Sequence, residues 1–542
     1  MELSSSNYKK QDRYYLCCLV VLTLFQIWKA TRGMGSADEH FYTTLAYRFM
    51  RGDALFFDDW HIAQMIAFFL EPLVRLYVSV TGSMDGIQFY MRCCYILFTV
   101  ITAMVFYYRF RSYGYSTILA SAIYLLYTPL QIMALSYNTM SAGFVILALC
   151  VYPVEKEQKW RLLFTGIFAS FAVINTPYLA LIYVGLTLLT ILRPTWFSHR
   201  RWLSLSGGVV IAAILFLTYV GLHTPWREVL AGLPHLIDPS HSKGLYMFAR
   251  NIALLWRYFH FFAVLLILEL VVGVIARKRI QSRCDTVLTL SCLISLLSIL
   301  YVMFISTYQR DLGSRGTVLF PFMITGCMFI LCEKEHSYLD VCFGIALFHS
   351  FMILLSSNVG PRSYCGPLIL ACMVTVLVMR AFWKNTIMVR IVCVCLLGAL
   401  AISKGVDVFE GSGTYDTKIM EGPLAGLYDE RSCVERYERG LKDIQTINER
   451  EEEHAMLITW EVWEYLALDK TIATFSTYPY FWEEEEYVHA QYEYQLEHTD
   501  RFPTLIYLDR ENAPYRMKLD DPFFQDTEPL LNLQEGTLLY GK

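Results

Sequence analysis

The chain has 542 residues, of which 55% are hydrophobic, 15% aromatic and only 17% charged; a soluble chain carries about 25% charge, so a soluble enzyme is excluded and a polytopic membrane protein is expected. The net charge of -4 hides a split, with basic residues in short loops and acids over roughly the last 130 positions, and this excludes a nucleic-acid partner, which would require a basic face. The 15 cysteines lie mostly inside apolar runs such as YLCCLVV and VCVCLL, where they act as small hydrophobes and give neither a disulfide framework nor a metal-ligand spacing.

Residues 1–13 are polar and basic, and 14–30 follow as an apolar segment. Trp28, Lys29 and Arg32 argue against signal-peptide cleavage at the GSA of 35–37, so the segment is expected to remain as an anchor that starts inside and delivers Asp38 outside. The next stretch, 36–75, is far too polar to cross a bilayer. It places Asp38, Glu39, Asp53, Asp58, Asp59 and His61 at a membrane surface, where carboxylates need water, a metal or a substrate to offset their desolvation. Residues 63–80 are apolar but contain Glu71, Pro72 and Arg75. Counted as a span, they would put the later basic loops outside; laid along the outer surface, they let every later assignment obey the positive-inside rule.

The remaining spans are expected at 89–107, 118–135, 141–154, 162–174, 178–192, 203–222, 251–275, 287–305, 317–331, 341–355, 368–379 and 387–402. The total is about thirteen, with the C-terminal part outside. The chain therefore divides into a mainly α transmembrane domain, 1–402, with a first outer loop at 31–87, and a soluble extracytoplasmic domain, 403–542. In the latter, 457–460, 471–477 and 504–510 read as short buried strands, with 461–468 a helix, enough for one small α/β domain. The acidic run at 483–486 reads as a solvated face.

An active site facing outward must be assembled from the outer loops. The first is rich in acid; the others carry Tyr137 and Asn138, then Arg227, His235, Asp238, His241 and Lys243, then Arg310, Asp311 and Arg315, and finally Arg362. Acids on one side and arginines on the other suit a reaction with an anionic leaving group. Arginine forks bind phosphate, and a carboxylate can take a proton from an attacking hydroxyl.

The order of these elements resembles a family. Asp38, Glu39 and Tyr42 just past the first span, Gly52 and Asp53, the acidic FFDDWH with Asp58 and Asp59, and the half-buried FLEPLVRLYVSVTG are together similar to the first outer loop of GT-C glycosyltransferases. The branch in question holds the protein O-mannosyltransferases and the lipid A aminoarabinose transferase. In that family the loop carries juxtamembrane helices, and the architecture also has about thirteen spans and an outer C-terminal domain.

The resemblance implies transfer of a sugar from a polyprenyl-phosphate donor to a glycan, lipid or protein acceptor, by a single inverting displacement at the outer face. Asp38 would be the general base, Glu39 would position the acceptor or a cation, and Asp58 or Asp59 would belong to the second acidic patch. His61, Gln64, Tyr137, Asn138, Lys243, Arg310, Arg315 and Arg362 would bind substrate, the cations stabilising the departing phosphate. The second patch of the lipid A branch reads acid, Lys, Pro; here it reads Asp58, Asp59, Trp60, His61. No spacing demands a metal, although His61 with Asp58 and Asp59 could ligate a divalent cation. The small outer domain and the lack of eukaryotic retention signals point to a bacterial plasma (inner) membrane. The competing class is a lipid or sugar transporter or flippase with an outer accessory domain, which would concentrate polar groups at mid-membrane.

Overall fold

A computed structural model describes residues 5–154, 158–193, 197–236, 246, 248–257, 260, 264, 267, 271, 284–304, 317–332, 337–356, 365–382, 386–406, 415–478, 485–510 and 527–541. The protein is a mainly helical, polytopic membrane protein. Among the described residues, 7 helices are long and apolar enough to cross a membrane, and shorter apolar helices accompany them. The transmembrane part runs α1 (Ser5–Ala30), α2 (Ala37–Met50), α3 (Ala67–Thr81), α4 (Ile87–Phe110), α5 (Tyr115–Leu126), α6 (Tyr137–Val151), α7 (Lys159–Asn175), α8 (Ala180–Leu192) and α9 (His199–His223). After the short α10 (Trp226–Gly232) come α11 (Cys284–Phe304), α12 (Leu319–Cys332), α13 (Tyr338–Ser356), α14 (Leu368–Phe382) and α15 (Thr386–Val406). Most of the expected span at 251–275 lies outside the described residues.

Lipid tails offer no hydrophobic drive between helices, so close backbone approach decides packing here. α7 and α9 show it. A Cβ added at Gly166 would lie 2.1 Å from the Leu205 carbonyl oxygen, and one at Gly208 2.0 Å from that of Leu163. α5 is only 12 residues long, too short for a hydrocarbon core of roughly 30 Å. The buried, irregular stretch after it supplies further depth where protein, not lipid, surrounds the backbone.

α3 is apolar enough to be counted as a span, yet both its flanks touch the same soluble domain. On one side the Trp60 N–H donates to the Phe475 carbonyl at 2.9 Å, and on the other the Gly86 N–H donates to that of Gly422 at 3.0 Å. A crossing helix would leave its ends on opposite faces, so α3 lies along the surface that carries the soluble domain. Its Glu71 pairs there with Arg75 and with His223.

The C-terminal domain is a five-stranded sheet, order β4-β3-β5-β7-β6, beside a two-stranded β1-β2 pair. The strands are β1 (Thr417–Lys418), β2 (Tyr428–Asp429), β3 (His454–Ile458), β4 (Thr471–Ile472), β5 (Leu505–Asp509), β6 (Thr527–Asn532) and β7 (Gly536–Gly541). β3 is parallel to β4 and β5, and β7 is antiparallel to β5 and β6. The amphipathic α16 (Arg431–Asn448) buries Val434, Tyr437, Leu441 and Ile444, and α17 (Glu464–Ala467) and α18 (Glu485–Glu497) complete the domain. The strand expected at 471–477 stops after Ile472, because Thr474 and Phe475 turn their carbonyls toward Arg48 and Trp60 of the first loop. The helix expected over 461–468 is one turn, Glu464–Ala467, entered through a turn in which the Glu461, Val462 and Trp463 carbonyls accept from the Glu464, Tyr465 and Leu466 N–H groups.

Candidate functional site

α2 follows α1 and is buried at every residue from Glu39 to Phe49. Its first turn carries Asp38 and Glu39, where the helix N-terminus favours negative charge. The two acids then meet different fates. Glu39 accepts from Arg92 Nε at 2.5 Å and Nη2 at 3.2 Å, and from Gln88 Nε2 at 2.9 Å. Burial pushes its carboxyl up, but Arg92 outweighs burial and holds it below the usual range. Arg92 also donates to the carbonyls of Ala30 and Gly33. The pair therefore ties α4 to the end of α1, and both Glu39 oxygens already have donors.

Among the described residues Asp38 has no cation beside it. Tyr478 of the C-terminal domain donates to its Oδ1 at 2.5 Å, and the surrounding side chains are aromatic. Phe41 lies 5.0 Å from the Tyr478 ring and 4.7 Å from His61, and Tyr42 stands edge-on to Tyr137 at 6.3 Å. Burial pushes the Asp38 carboxyl above its ordinary range, and the Tyr478 hydroxyl only partly offsets this. The outcome is a half-buried carboxylate hungry for a proton, which is what a general base requires.

Asp58 and Asp59 go to a separate buried network. Arg48, 1% exposed, binds Asp53 at 2.6 Å and Asp59 at 2.8 Å. Arg501 binds Asp53 at 2.8 Å and Asp58 at 2.9 Å. With three carboxylates facing two guanidiniums, one proton neutralises the group. Burial and the neighbouring Asp53 raise the Asp58 carboxyl to about 6, and burial raises Asp59 to about 7 despite Arg48. His498 supports a proton on Asp58. Its Nδ1 bonds the Tyr494 carbonyl at 2.9 Å, so the neutral ring turns a lone pair on Nε2 toward Asp58 Oδ1, 3.5 Å away.

Two other first-loop residues, His61 and Gln64, are engaged within the loop. Asp59 Oδ1 accepts from the His61 N–H and His61 Nδ1 accepts from the Ala63 N–H. Among the described residues no group of three or more His, Cys, Asp or Glu is placed to hold a metal. Gln64 is held by the loop itself. Its Oε1 accepts from the Phe56 N–H at 2.5 Å and its Nε2 donates to the Asp59 carbonyl at 2.6 Å, which fixes the loop where Phe56 adopts φ 67.

Tyr137 and Asn138 open α6, with Tyr137 against Tyr42; Asn138 is 3% exposed and its Oδ1 has no hydrogen-bond partner among the described residues. Lys243, Arg310, Arg315 and Arg362, with Asp238, His241 and Asp311, lie outside the described residues. His235 stacks on Trp60 at 3.9 Å and reaches Glu497 at 3.1 Å. Two cations that sequence reasoning did not place in the site are buried near the ends of α1 and α15: Lys29, 7% exposed, and Lys404, 1% exposed. Lys404 Nζ donates to the Leu125 carbonyl at 3.0 Å, and among the described residues no carboxylate pairs with it. A lysine in the last turn of an apolar helix reads as an interfacial anchor, so burial was the missing signal. Tyr478 carried no signal at all, being one aromatic among many.

No protein-family model matches the chain, and no curated protein matches it. Solved structures similar to it include ArnT from Cupriavidus metallidurans in the apo state, with 10% sequence identity, a TM-score of 0.45 and coverage of 97% of this chain and 98% of that one. Another is ArnT from Cupriavidus metallidurans bound to undecaprenyl phosphate, with 10% identity, a TM-score of 0.41 and coverage of 97% of each chain.

Proposed function

We propose that the protein is a membrane glycosyltransferase that moves a sugar from a polyprenyl-phosphate donor to an acceptor hydroxyl at the outer face of the membrane, with Asp38 as general base. One observation carries this reading. Of the six acids between 36 and 75, five are ion-paired, Glu39 with Arg92, Asp53 and Asp59 with Arg48, Asp58 with Arg501 and Glu71 with Arg75; Asp38 alone has no cation among the described residues. A chain that neutralises every neighbouring carboxylate and leaves one in an aromatic pocket has a use for that one. The first-loop pattern shared with GT-C enzymes supports the same assignment.

In this reading the acceptor hydroxyl enters against Asp38, which takes its proton as the oxygen attacks the anomeric carbon. The bond from that carbon to the phosphate oxygen breaks on the opposite face, and its electron pair leaves with the polyprenyl phosphate. Tyr478 holds the carboxylate toward the acceptor. Lys404 and Lys29 are cations buried at the helix ends nearest the first loop, and with Lys243, Arg310, Arg315 and Arg362 they form the pool from which the departing phosphate draws its stabilisation. The test supplies radiolabelled polyprenyl-phosphate sugars to the purified protein and to Asp38→Asn. The reading fails if the wild type neither binds nor consumes any such donor, or if Asp38→Asn consumes it at the wild-type rate.

A further inference from the structure

The second acidic patch bears on Asp38 through one side chain, Arg48. A guanidinium is a fixed plane of five N–H groups, and the edges of this one do different things. Nε donates to Asp53 at 2.6 Å and Nη1 to Asp59 at 2.8 Å. Nη2 donates to two carbonyls, that of Asp58 at 2.6 Å and that of Thr474 at 3.0 Å. The first three acceptors are neighbours in the first loop; the fourth belongs to the C-terminal domain, 426 residues away in sequence. A cation needed only to neutralise aspartates has no reason to hold it.

What Arg48 holds is the root of the segment that carries Tyr478. Just past β4, the Ala473 N–H donates to the Ala455 carbonyl at 3.0 Å. Beyond it Thr474, Phe475, Ser476 and Thr477 stay buried although they have left the sheet. The first loop receives them: Arg48 donates to the Thr474 carbonyl, and the Trp60 N–H to the next one, of Phe475, at 2.9 Å. Ser476 Oγ then accepts from the Tyr478 N–H at 3.1 Å, and the Tyr478 hydroxyl reaches Asp38. Arg48 and Asp38 both lie on α2, about 15 Å apart along its axis; four residues of backbone cover at most about 14 Å. The segment 474–478 therefore runs antiparallel along α2 with little slack, and a displacement at its Arg48 end is passed to the Tyr478 hydroxyl.

Resting on the reading of Asp38 as general base, we propose that Arg48 is a positioning residue for it: by fixing the Thr474 carbonyl against α2, the guanidinium sets where the Tyr478 hydroxyl meets the Asp38 carboxylate. Asp53 and Asp59 act through Arg48, by orienting its plane. Lysine would restore the charge but not the geometry, because an ammonium lacks the planar fork that faces two carboxylates and two carbonyls at once. A small misplacement suffices, since a hydrogen bond weakens steeply as it bends. Burial already holds the Asp38 carboxyl above its ordinary range against the Tyr478 hydroxyl, so a weaker bond lets it climb further. The other titratable groups facing Asp38 among the described residues are Tyr42 of α2 and Tyr137 of α6, with His61 5.5 Å from the Tyr478 ring; none of them is altered in the test.

Asp38 is titrated in the full-length protein in detergent by infrared difference spectroscopy, following the protonated-carboxyl band that disappears in Asp38→Asn. The pH–rate profile for a polyprenyl-phosphate sugar is recorded beside it. In Tyr478→Phe the Asp38 pKa is expected to rise by about 1 unit, in Arg48→Lys by about half of that or more, and in the double variant no further than in Tyr478→Phe. Arg501→Gln is the control: among the described residues Arg501 bonds Asp53 and Asp58 and no part of 474–478, so its loss lowers Tm and leaves the titration in place. Asp59→Asn, nearly isosteric and lacking one of the charges that orient Arg48, carries the same comparison if Arg48→Lys does not fold. An unmoved Asp38 in a folded variant, shifts that add in full in the double variant, or an equal shift in Arg501→Gln overturns the proposal. The infrared titration needs no donor. If its shifts appear while the wild type consumes no donor, the transferase reading fails and the placing of Tyr478 by Arg48 stands.

Discussion

Tyr478 donates to Asp38 at 2.5 Å across a sequence separation of 440 residues, so the candidate base in the first loop is finished by a side chain from the far end of the protein. The hydrogen bond stabilises the ionised carboxylate against burial. In Tyr478→Phe the Asp38 pKa climbs further, and the acid limb of the pH–rate profile shifts to higher pH. At neutral pH turnover of a polyprenyl-phosphate sugar is expected to drop several-fold, about 10-fold for one lost charge-assisted bond, with recovery at alkaline pH. An unshifted profile would show that Tyr478 only packs.

A base acts ionised, and burial raises Asp38 above the ordinary carboxylate range. Activity is therefore lost as pH falls through that raised value, earlier than for an exposed aspartate. Asp38→Asn is expected to lower turnover by roughly 100-fold or more, without loss of donor binding, since the proposed role of Asp38 is toward the acceptor proton and not the phosphate. Filter binding beside turnover separates the two.

Glu39 and Arg92 are a buried pair, with side chains each 4% exposed. Arg92→Met strands a carboxylate away from water and is expected to cost about 3–5 kcal/mol, read as a lower Tm in detergent. The double variant Glu39→Met, Arg92→Met should recover much of it. If the double variant is stable but inactive, Glu39 has a role in positioning substrate beyond holding α4.

The excess carboxylate around Arg48 and Arg501 makes stability pH-dependent in an unusual direction. The folded values of about 6 for Asp58 and about 7 for Asp59 lie above the ordinary 3.8. Between these limits the folded protein holds protons that the unfolded chain has released, so stability falls as pH rises and levels off above about 7. Asp58→Asn mimics the neutral form, and its amide can donate to His498 Nε2. It is expected to flatten the dependence and to match or exceed wild-type stability at pH 8, by an amount on the order of 1–2 kcal/mol. Melting curves from pH 5 to about 8 in both proteins check this.

Lys404 is a buried ammonium held by one carbonyl, that of Leu125. Lys404→Met removes a desolvated charge, so its Tm should stay level or rise by an amount worth about 1–2 kcal/mol. If Lys404 helps hold the donor phosphate, the same variant binds a polyprenyl phosphate about 10-fold more weakly. Unchanged donor binding would assign the lysine to helix packing alone.

Composition and charge made the membrane helices legible, because span length and basic loops follow directly from the bilayer's thickness and from insertion. Even the surface placement of α3 could be read, since Glu71 and Arg75 made it a costly crossing. The acids of the first loop were visible as a group, but their division was not. Which carboxylate receives a guanidinium depends on Arg92, Arg48 and Arg501, which come from three separate elements, and nothing local in SADEHFY distinguishes Asp38 from Glu39. The hairpin of β6 and β7 and the helix α16 also escaped notice, the first in a stretch without strict alternation and the second in a run so polar that only its one apolar stripe marks it.

The hydrogen bonds from Gly33 to Tyr428, from Met34 to Asp429 and from Trp60 to Phe475 also constrain biosynthesis. At a ribosomal rate of roughly 5–20 residues per second, the 440 residues separating Asp38 from Tyr478 take about 20–90 s to translate. During that interval the first helices are already embedded while the pocket above them lacks its closing wall. A nascent or truncated product would thus be inserted but mute, with its acidic loop open to proteases and quality control until the final hundred or so residues emerge and clasp it.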